Sequence, residues 1–227
     1  MLVLFDIDDT LLDDASAQRS AAAALHGHVG MDADVEAFLD LWSAASERHY
    51  ARYLQGELDF QGQRRARIRE AVDGTLSNAA ADTLFASYLD AYESAWALCA
   101  DVNGCLDALV EQHRLGVVSN GQGSQQRHKL EALGIADYFA CIVISGDLGR
   151  RKPSPEIFLE ACAKLGTAPE EAAYVGDRYE IDALGARAAG LTGVWLDRLG
   201  SRGNHHLPPV ISSLSDLQDV LGGLGPA

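Results

Sequence analysis

The amino-acid sequence predicts an α/β protein with a doubly wound parallel sheet and an all-helical segment inserted after the first strand. The apolar run at residues 2–7 is typical of a strand that is buried on both faces of a sheet. From about residue 101 onward, predicted strands alternate with helices, which indicates a parallel sheet covered by helices. Between these parts, residues 15–97 contain no convincing strand.

The later strands are predicted at residues 116–119, 139–145, 172–176 and 192–196. One intervening helix should begin at Pro155, because proline is favoured at the first helical position. Another should end before Gly190, which can adopt the left-handed conformation that often follows a helix. Right-handed crossovers between such strands make the sheet doubly wound and Rossmann-like.

The inserted segment shows apolar residues at helical spacing. One series runs from Val35 to His49 and stops at Gly56, and Asp59 can cap a further helix that reaches Val72. A third series comprises Leu84, Phe85, Tyr88, Leu89, Tyr92 and Trp96. We therefore expect a Rossmann-like core formed by residues 1–14 and 98–227, and a helical cap domain formed by residues 15–97.

Composition excludes several classes of partner. The 227 residues carry a formal net charge of -15, which disfavours binding to nucleic acid and to anionic membranes. Neither a signal peptide nor a transmembrane span is expected, and the four cysteines show no disulfide or zinc spacing. These features favour a cytoplasmic protein, for which a monomer is the default. His205 and His206 are expected in an exposed loop, and the residues after Gly222 are expected to be disordered.

Polar side chains follow the predicted strands, where ligands of open parallel sheets bind. Lys152 precedes the predicted helix at Pro155. The residues at the strand ends are Asp6 and Asp8 after the first strand, Ser119, Asn120 and Gly121 after the second, and Asp177 and Asp182 after the fourth. The order of these groups along the chain lets the fold bring four carboxylates, a hydroxyl group and a lysine to one crevice.

This combination suits phosphoryl transfer. A carboxylate cluster needs a cation to offset its repulsion, and Mg²⁺ commonly joins one or two carboxylates to a substrate phosphate. Lys152 would add positive charge, and Ser119 with the amides of Asn120 and Gly121 would donate hydrogen bonds to phosphate. Asp6 could attack phosphorus as the nucleophile, while Asp8 could act as general acid and then as general base.

The residues at these strand ends resemble the motifs of the haloacid dehalogenase-like hydrolase superfamily. The resemblance covers about residues 1–14 and 98–200 and is weak through the expected cap. Four motifs match in order: Asp6-Ile7-Asp8-Asp9-Thr10, Val118-Ser119-Asn120-Gly121, Lys152-Pro153-Ser154-Pro155-Glu156-Ile157-Phe158, and Val175-Gly176-Asp177 with Asp182 and Gly190. The place of the insertion also matches a helical cap between the first strand and the second motif.

The resemblance implies a role for each matched residue. Asp6 would be nucleophile and metal ligand, and Asp8 would be acid/base and would offer its main-chain carbonyl to the metal. Asp177 would be a metal ligand, and Asp182 would hold a metal-bound water or orient Lys152. Ser119 and Lys152 would bind the phosphate.

The sequence thus favours a Mg²⁺-dependent phosphatase that acts on a small phosphorylated metabolite. A sugar-phosphate mutase remains an alternative, and a non-catalytic binding protein is disfavoured by the intact carboxylates. A 2-haloacid dehalogenase is disfavoured because such members of the family lack the second aspartate, here Asp8. Arg52 and Arg64 of the expected cap are candidates for substrate recognition, against the alternative that this basic cluster is a solvated helix face paired with Glu57 and Glu70.

Overall fold

A computed structural model describes residues 1–200 and 208–223 of the chain. The expectations for His205, His206 and the tail after Gly222 concern residues outside these ranges, apart from Gly223. The chain divides into two compact units, Met1–Asp13 with Ala97–Ala227 and Asp14–Trp96. We call them the sheet unit and the helical unit. No helix within the described ranges is long and apolar enough to cross a membrane.

Among the described residues, the sheet unit contains six parallel strands in the order β3-β2-β1-β4-β5-β6. The strands are β1 (Leu2–Phe5), β2 (Arg114–Ser119), β3 (Phe139–Ile144), β4 (Ala172–Gly176), β5 (Thr192–Leu196) and β6 (Val210–Ile211). This order is that of a doubly wound fold, and the chain reverses its winding direction between the neighbours β1 and β4. The fold class predicted from the sequence is therefore confirmed.

Helices lie between the strands of the sheet unit and after the last of them. They are α5 (Val102–Val110), α6 (Gly123–Ala132), α7 (Ser145–Leu148), α8 (Pro155–Lys164), α9 (Leu184–Ala188) and α10 (Leu217–Gly223). As predicted, Pro155 opens a helix, and Gly190 has a φ of 89° just after α9. A buried cluster packs β1 and β4 against α8 and α9, including Leu4, Phe158 and Tyr174.

The helical unit contains α1 (Asp14–Val29), α2 (Val35–Leu54), α3 (Phe60–Ala71) and α4 (Asn78–Ser94). The predicted cap of α3 is present, since the Asp59 carboxylate accepts a hydrogen bond from the Gly62 amide at 2.5 Å. The unit has its own core, in which Phe38, Trp42 and Phe85 pack among alanines and tyrosines. Trp96, the last member of the predicted α4 stripe, lies beyond the end of that helix.

Three strand predictions needed correction at their ends. The first strand stops at Phe5 rather than at residue 7, because hydrogen bonds from the amides of Thr10, Leu11 and Leu12 to the Ile7 carbonyl close a turn there. The second strand begins two residues earlier than predicted, at Arg114. The third ends at Ile144, because residue 145 begins α7.

Candidate active site

The candidate site lies at the carboxyl ends of β1 and β4. Asp6 directly follows β1, and its amide donates a hydrogen bond of 2.9 Å to the Val175 carbonyl of β4. Asp177 directly follows β4. Because β1 and β4 are neighbours at the place where the winding direction reverses, both aspartates lie at the position where doubly wound sheets bind their ligands.

Lys152 is the central cation of this site. Its ammonium nitrogen lies 2.8 Å from Oδ1 of Asp6, 2.7 Å from Oδ1 of Asp182 and 2.7 Å from the Tyr174 hydroxyl. Burial alone would lower the pKa of Lys152, but Asp182 and Asp6 outweigh this effect and raise it above its ordinary value. Lys152 therefore stays protonated at neutral pH although it is only 3% exposed.

The main chain at Lys152 is fixed by Asn120. The Lys152 amide donates to Oδ1 of Asn120 at 2.9 Å, and the Asn120 side-chain amide donates to the Lys152 carbonyl at 3.1 Å. These two hydrogen bonds fix the backbone of Lys152 relative to the end of β2. The Asn120 side chain is thus engaged with the loop that carries Lys152.

Tyr174 and Asp182 support the lysine from β4 and from the turn beyond it. The Tyr174 hydroxyl donates to the Val118 carbonyl at 2.9 Å, and burial raises the pKa of Tyr174 well above its usual range. Asp182 is fully buried in a π-helical turn, Tyr179–Ala183, and its Oδ2 accepts a hydrogen bond of 2.9 Å from the Arg178 amide. Tyr174 was not predicted, because in the sequence it is one residue of an apolar strand.

Three carboxylates converge at the strand ends. Asp6, Asp177 and Asp182 each offer an oxygen within 4.8 Å of the others. Burial, followed by the charges of Asp6 and Asp182, raises the pKa of Asp177 to about 8, and burial also raises the pKa of Asp6. Such mutual repulsion is what a bound divalent cation would relieve, and carboxylate oxygens are the ligands that Mg²⁺ prefers. The residues present therefore fit the predicted metal.

Asp8 points to a different set of partners. Its Oδ1 lies 2.5 Å from the ammonium group of Lys129, and its Oδ2 accepts a hydrogen bond of 3.0 Å from the Gln126 side-chain amide. Asp9, with a φ of 55°, begins the turn that follows Asp8. Sequence reasoning missed Lys129 and Gln126, whose spacing on α6 looks like an ordinary polar helix face.

Ser119 is linked to Asp8 through the same glutamine. Gln126 Nε2 lies 3.0 Å from the Ser119 hydroxyl and 3.3 Å from the Asn120 carbonyl. The Gly121 amide, which the sequence suggested as a phosphate donor, donates to the Ser145 hydroxyl at 3.0 Å. Ser145 begins α7, and its contact ties that helix to the turn after β2.

The two arginines proposed for substrate recognition have different surroundings within the helical unit. Arg52 forms an ion pair with Glu57 at 2.9 Å, as the solvated-face alternative predicted. The Arg64 guanidinium instead lies over the rings of Phe60 and Phe85, at 4.3 and 4.9 Å from their centroids. Burial and the neighbouring Arg67 lower the pKa of Arg64. The Glu70 carboxylate pairs with Arg48 and His49 rather than with Arg64.

Comparison with known proteins extends these observations. Residues 1–190 match the model of the haloacid dehalogenase-like hydrolases. A phosphoserine phosphatase from Thermus thermophilus is 33% identical, with 87% of this chain and 88% of that protein covered. A glyceraldehyde 3-phosphate phosphatase from Methanopyrus kandleri is 36% identical, with coverages of 86% and 83%. The magnesium-bound putative HAD-hydrolase YfnB from Bacillus subtilis shares the fold, with a TM-score of 0.81, 22% identity and 97% coverage of both chains.

Proposed function

The chain belongs to the haloacid dehalogenase-like hydrolase family, and we propose that it is a magnesium-dependent phosphatase acting on small phosphorylated metabolites. The observation that carries this proposal is the buried Asp6 carboxylate at the end of β1, 2.8 Å from Lys152 and clustered with Asp177 and Asp182. A carboxylate held beside a permanent cation and a metal-binding cluster is suited to attack phosphorus, because phosphoryl transfer depends mainly on positioning and on neutralising charge.

The reaction has two steps, which share Asp6 and Asp8. In the first, an oxygen of Asp6 forms a bond to phosphorus, the bond to the ester oxygen breaks, and Asp8 donates a proton to the departing alcohol. In the second, a water oxygen attacks the aspartyl-phosphate, its proton passes to Asp8, and the bond between Asp6 and phosphorus breaks to release inorganic phosphate. Asp6 and Asp8 then return to their original states.

The remaining residues bind and neutralise the substrate. We assign the phosphate group to the Ser119 hydroxyl, the Asn120 amide and the ammonium group of Lys152. Asp6, Asp177, Asp182 and the main-chain carbonyl of Asp8 would hold Mg²⁺, which when bound supplies positive charge that offsets the charge on the phosphate oxygens. The charge of Lys152 also favours the ionised form of Asp6, and contacts with Asp182 and Tyr174 fix the position of the Lys152 ammonium group.

The relatives support a small organic phosphate as the substrate, since the two described above are named for phosphoserine and for glyceraldehyde 3-phosphate. We propose that the helical unit serves as the cap domain that selects among such esters, with Arg52 and Arg64 as candidate selecting residues. A monomer in the cytoplasm, with no nucleic-acid or membrane partner, completes the proposal and agrees with the formal net charge of -15.

Release of inorganic phosphate from p-nitrophenyl phosphate, phosphoserine and glyceraldehyde 3-phosphate tests this function. The wild-type protein should turn over at least one ester with Mg²⁺ and none with EDTA, and Asp6→Asn should lower kcat by about 10³-fold or more. The exposed Asp137 provides a matched control, and Asp137→Asn should retain full activity. Full turnover by Asp6→Asn would contradict the covalent mechanism, and conversion of a sugar phosphate to its isomer without phosphate release would indicate a mutase.

A further inference from the structure

Lys129 is the second buried lysine of the sheet unit. The sequence contains three lysines, and both Lys129 and Lys152 are only 3% exposed. Lysine is almost never this buried unless it is paired, because its ammonium group must be desolvated. Lys152 is accounted for by the carboxylate cluster. Lys129 lies on α6, outside all four sequence motifs, and its placement requires a separate reason.

That reason lies in the contacts of Asp8. Lys129 and Gln126 are three residues apart on α6, so their side chains project from the same face of the helix. The lysine contacts Oδ1 of Asp8 at 2.5 Å, and the glutamine donates to Oδ2 at 3.0 Å. Each carboxylate oxygen therefore has its own donor, which fixes both the position and the rotation of the carboxylate.

Stability alone is a poor explanation for this arrangement. The Asp8 side chain is about one-third exposed and could be hydrated without a lysine, whereas Lys129 loses nearly all of its hydration on burial. The start of α6 is already capped by Gln122, whose side chain accepts a hydrogen bond of 3.2 Å from the Gln125 amide. Gln126 also reaches the Ser119 hydroxyl, so the contacts of α6 connect Asp8 with a proposed phosphate ligand.

We propose that Lys129, assisted by Gln126, is a positioning residue that aims the Asp8 carboxylate at the ester oxygen and then at the hydrolytic water. This inference rests on the proposed phosphatase function. When Asp8 carries the proton that it will donate, its other oxygen can still accept the hydrogen bond from Lys129. The proton moves from Asp8 to the leaving oxygen and later from water to Asp8, while Lys129 neither gains nor loses a proton.

The experiment compares two classes of ester in Lys129→Met. Alkyl phosphates need a proton on the leaving oxygen, whereas p-nitrophenyl phosphate releases an anion that is stable without one. We expect kcat/KM to fall about 10²-fold for an alkyl ester such as phosphoserine and less than about 3-fold for p-nitrophenyl phosphate. Because Asp8 also activates water, p-nitrophenol release should show a burst of about one equivalent per enzyme.

Two further variants separate positioning from damage to the fold. Lys129→Arg keeps a donor and a positive charge and should recover most of the alkyl-ester activity. Lys164→Met removes the third lysine, an exposed residue paired with Glu160 on α8, and should change neither ester's kinetics. If Lys129→Met does not fold, Lys129→Gln retains a polar side chain at this position and can be measured with the same pair of esters.

The outcomes distinguish this inference from the function on which it rests. The positioning role would be overturned if a folded Lys129 variant lost kcat/KM equally for both esters, or for neither. Turnover by the wild-type protein would in that case still support the phosphatase function. Wild-type protein that releases phosphate from none of the esters in the presence of Mg²⁺ would contradict the proposed function, and the positioning role with it. A selective loss on alkyl esters that is restored by arginine supports the role.

Discussion

At the scale of single residues, the first two aspartates of the chain differ in their lysine partners. Asp6 is buried and contacts Lys152, and the partly exposed Asp8 contacts Lys129. Two carboxylates that are two residues apart would repel each other and titrate together if they shared one site. Each aspartate therefore has its own lysine, and the proposed mechanism uses Asp6 as the nucleophile and Asp8 as the group that exchanges a proton.

Gly176 illustrates how closely the backbone approaches this site. A Cβ atom at this position would lie 2.5 Å from Oδ2 and 2.6 Å from Cβ of Asp182. We expect Gly176→Ala to displace Asp182 from Lys152, to lower kcat about 10-fold or more, and to destabilise the protein by about 1–3 kcal/mol through overpacking. Steady-state kinetics and urea unfolding would measure both effects.

A second glycine serves as the control for this substitution. Gly104 lies in α5, and a Cβ atom there would have no neighbour within 4 Å. Gly104→Ala should leave kcat unchanged and should stabilise the protein by up to about 1 kcal/mol, because alanine restricts the unfolded chain. If Gly176→Ala kept the kcat and the stability of the wild-type protein, neither property would depend on the present position of Asp182.

At the scale of elements, sequence patterns located most of the sheet. The bounds of β4 and β5 agree with their predictions, because each is a short apolar run bordered by turn residues. The two-residue β6 was not predicted, because a run of this length carries no periodicity. The end of β1 was placed two residues late, since Ile7 is as apolar as the strand before it and only the hydrogen bonds of the turn reveal the boundary.

The contacts between residues of the site were harder to predict than the residues themselves. Position at a strand end was enough to suggest Asp6 and Asp177, because the carboxyl ends of parallel strands share one edge. The contact of Lys129 with Asp8 joins residues that are 121 positions apart, and only the packing of α6 brings them together. The same limit applies to Tyr174, whose hydroxyl contacts Lys152 although its strand looks purely structural.

The arginines of α3 lie on two faces of the helix: Arg65 and Arg69 on one, and Arg64 and Arg67 on the other. Arg65 pairs with Asp82, and Arg69 donates to Asn78 and to the Leu76 carbonyl, so the first face is joined to the start of α4. Arg64 and Arg67 both lie over the Phe85 ring, and neither forms an ion pair within the part of the chain that the structure describes. The second face therefore retains the capacity to bind an anion.

This difference predicts which arginine affects substrate choice. Arg64→Gln should lower kcat/KM about 10-fold or more for an ester that carries a second anionic group, such as phosphoserine, because a charge-assisted hydrogen bond is worth about 1.5–3 kcal/mol. It should change p-nitrophenyl phosphate turnover much less. Arg65→Gln, on the other face of α3, should leave this ratio unaltered, because Arg65 is paired with Asp82. Equal effects of the two variants would contradict a selecting role for Arg64.

At the scale of the whole molecule, the distribution of charge opposes the binding of a phosphate unless the site compensates for it. The formal net charge is -15, so the protein as a whole repels an anionic substrate. Two of the three lysines are buried at the carboxyl ends of the central strands, where they place positive charge near the expected phosphate. Three clustered carboxylates at the same edge leave a local excess of negative charge, which a divalent cation would balance.

The last prediction concerns the stability of the whole protein with and without Mg²⁺. In metal-free protein, burial and the charges of Asp6 and Asp182 raise the pKa of Asp177 to about 8, so folding at neutral pH opposes its ionisation. Asp177→Asn removes this cost, and we expect stabilisation on the order of 1 kcal/mol and a rise in Tm of about 2–4 °C. Wild-type protein at about a hundred times its Kd for Mg²⁺ should gain about 2.7 kcal/mol. Asp177→Asn should lose most of that gain, because one metal ligand is missing, whereas Asp137→Asn should keep it. The stability of all three proteins would be measured by thermal unfolding in EDTA and across a Mg²⁺ titration. If Mg²⁺ stabilised Asp177→Asn as much as wild type, the cation would not bind at Asp177.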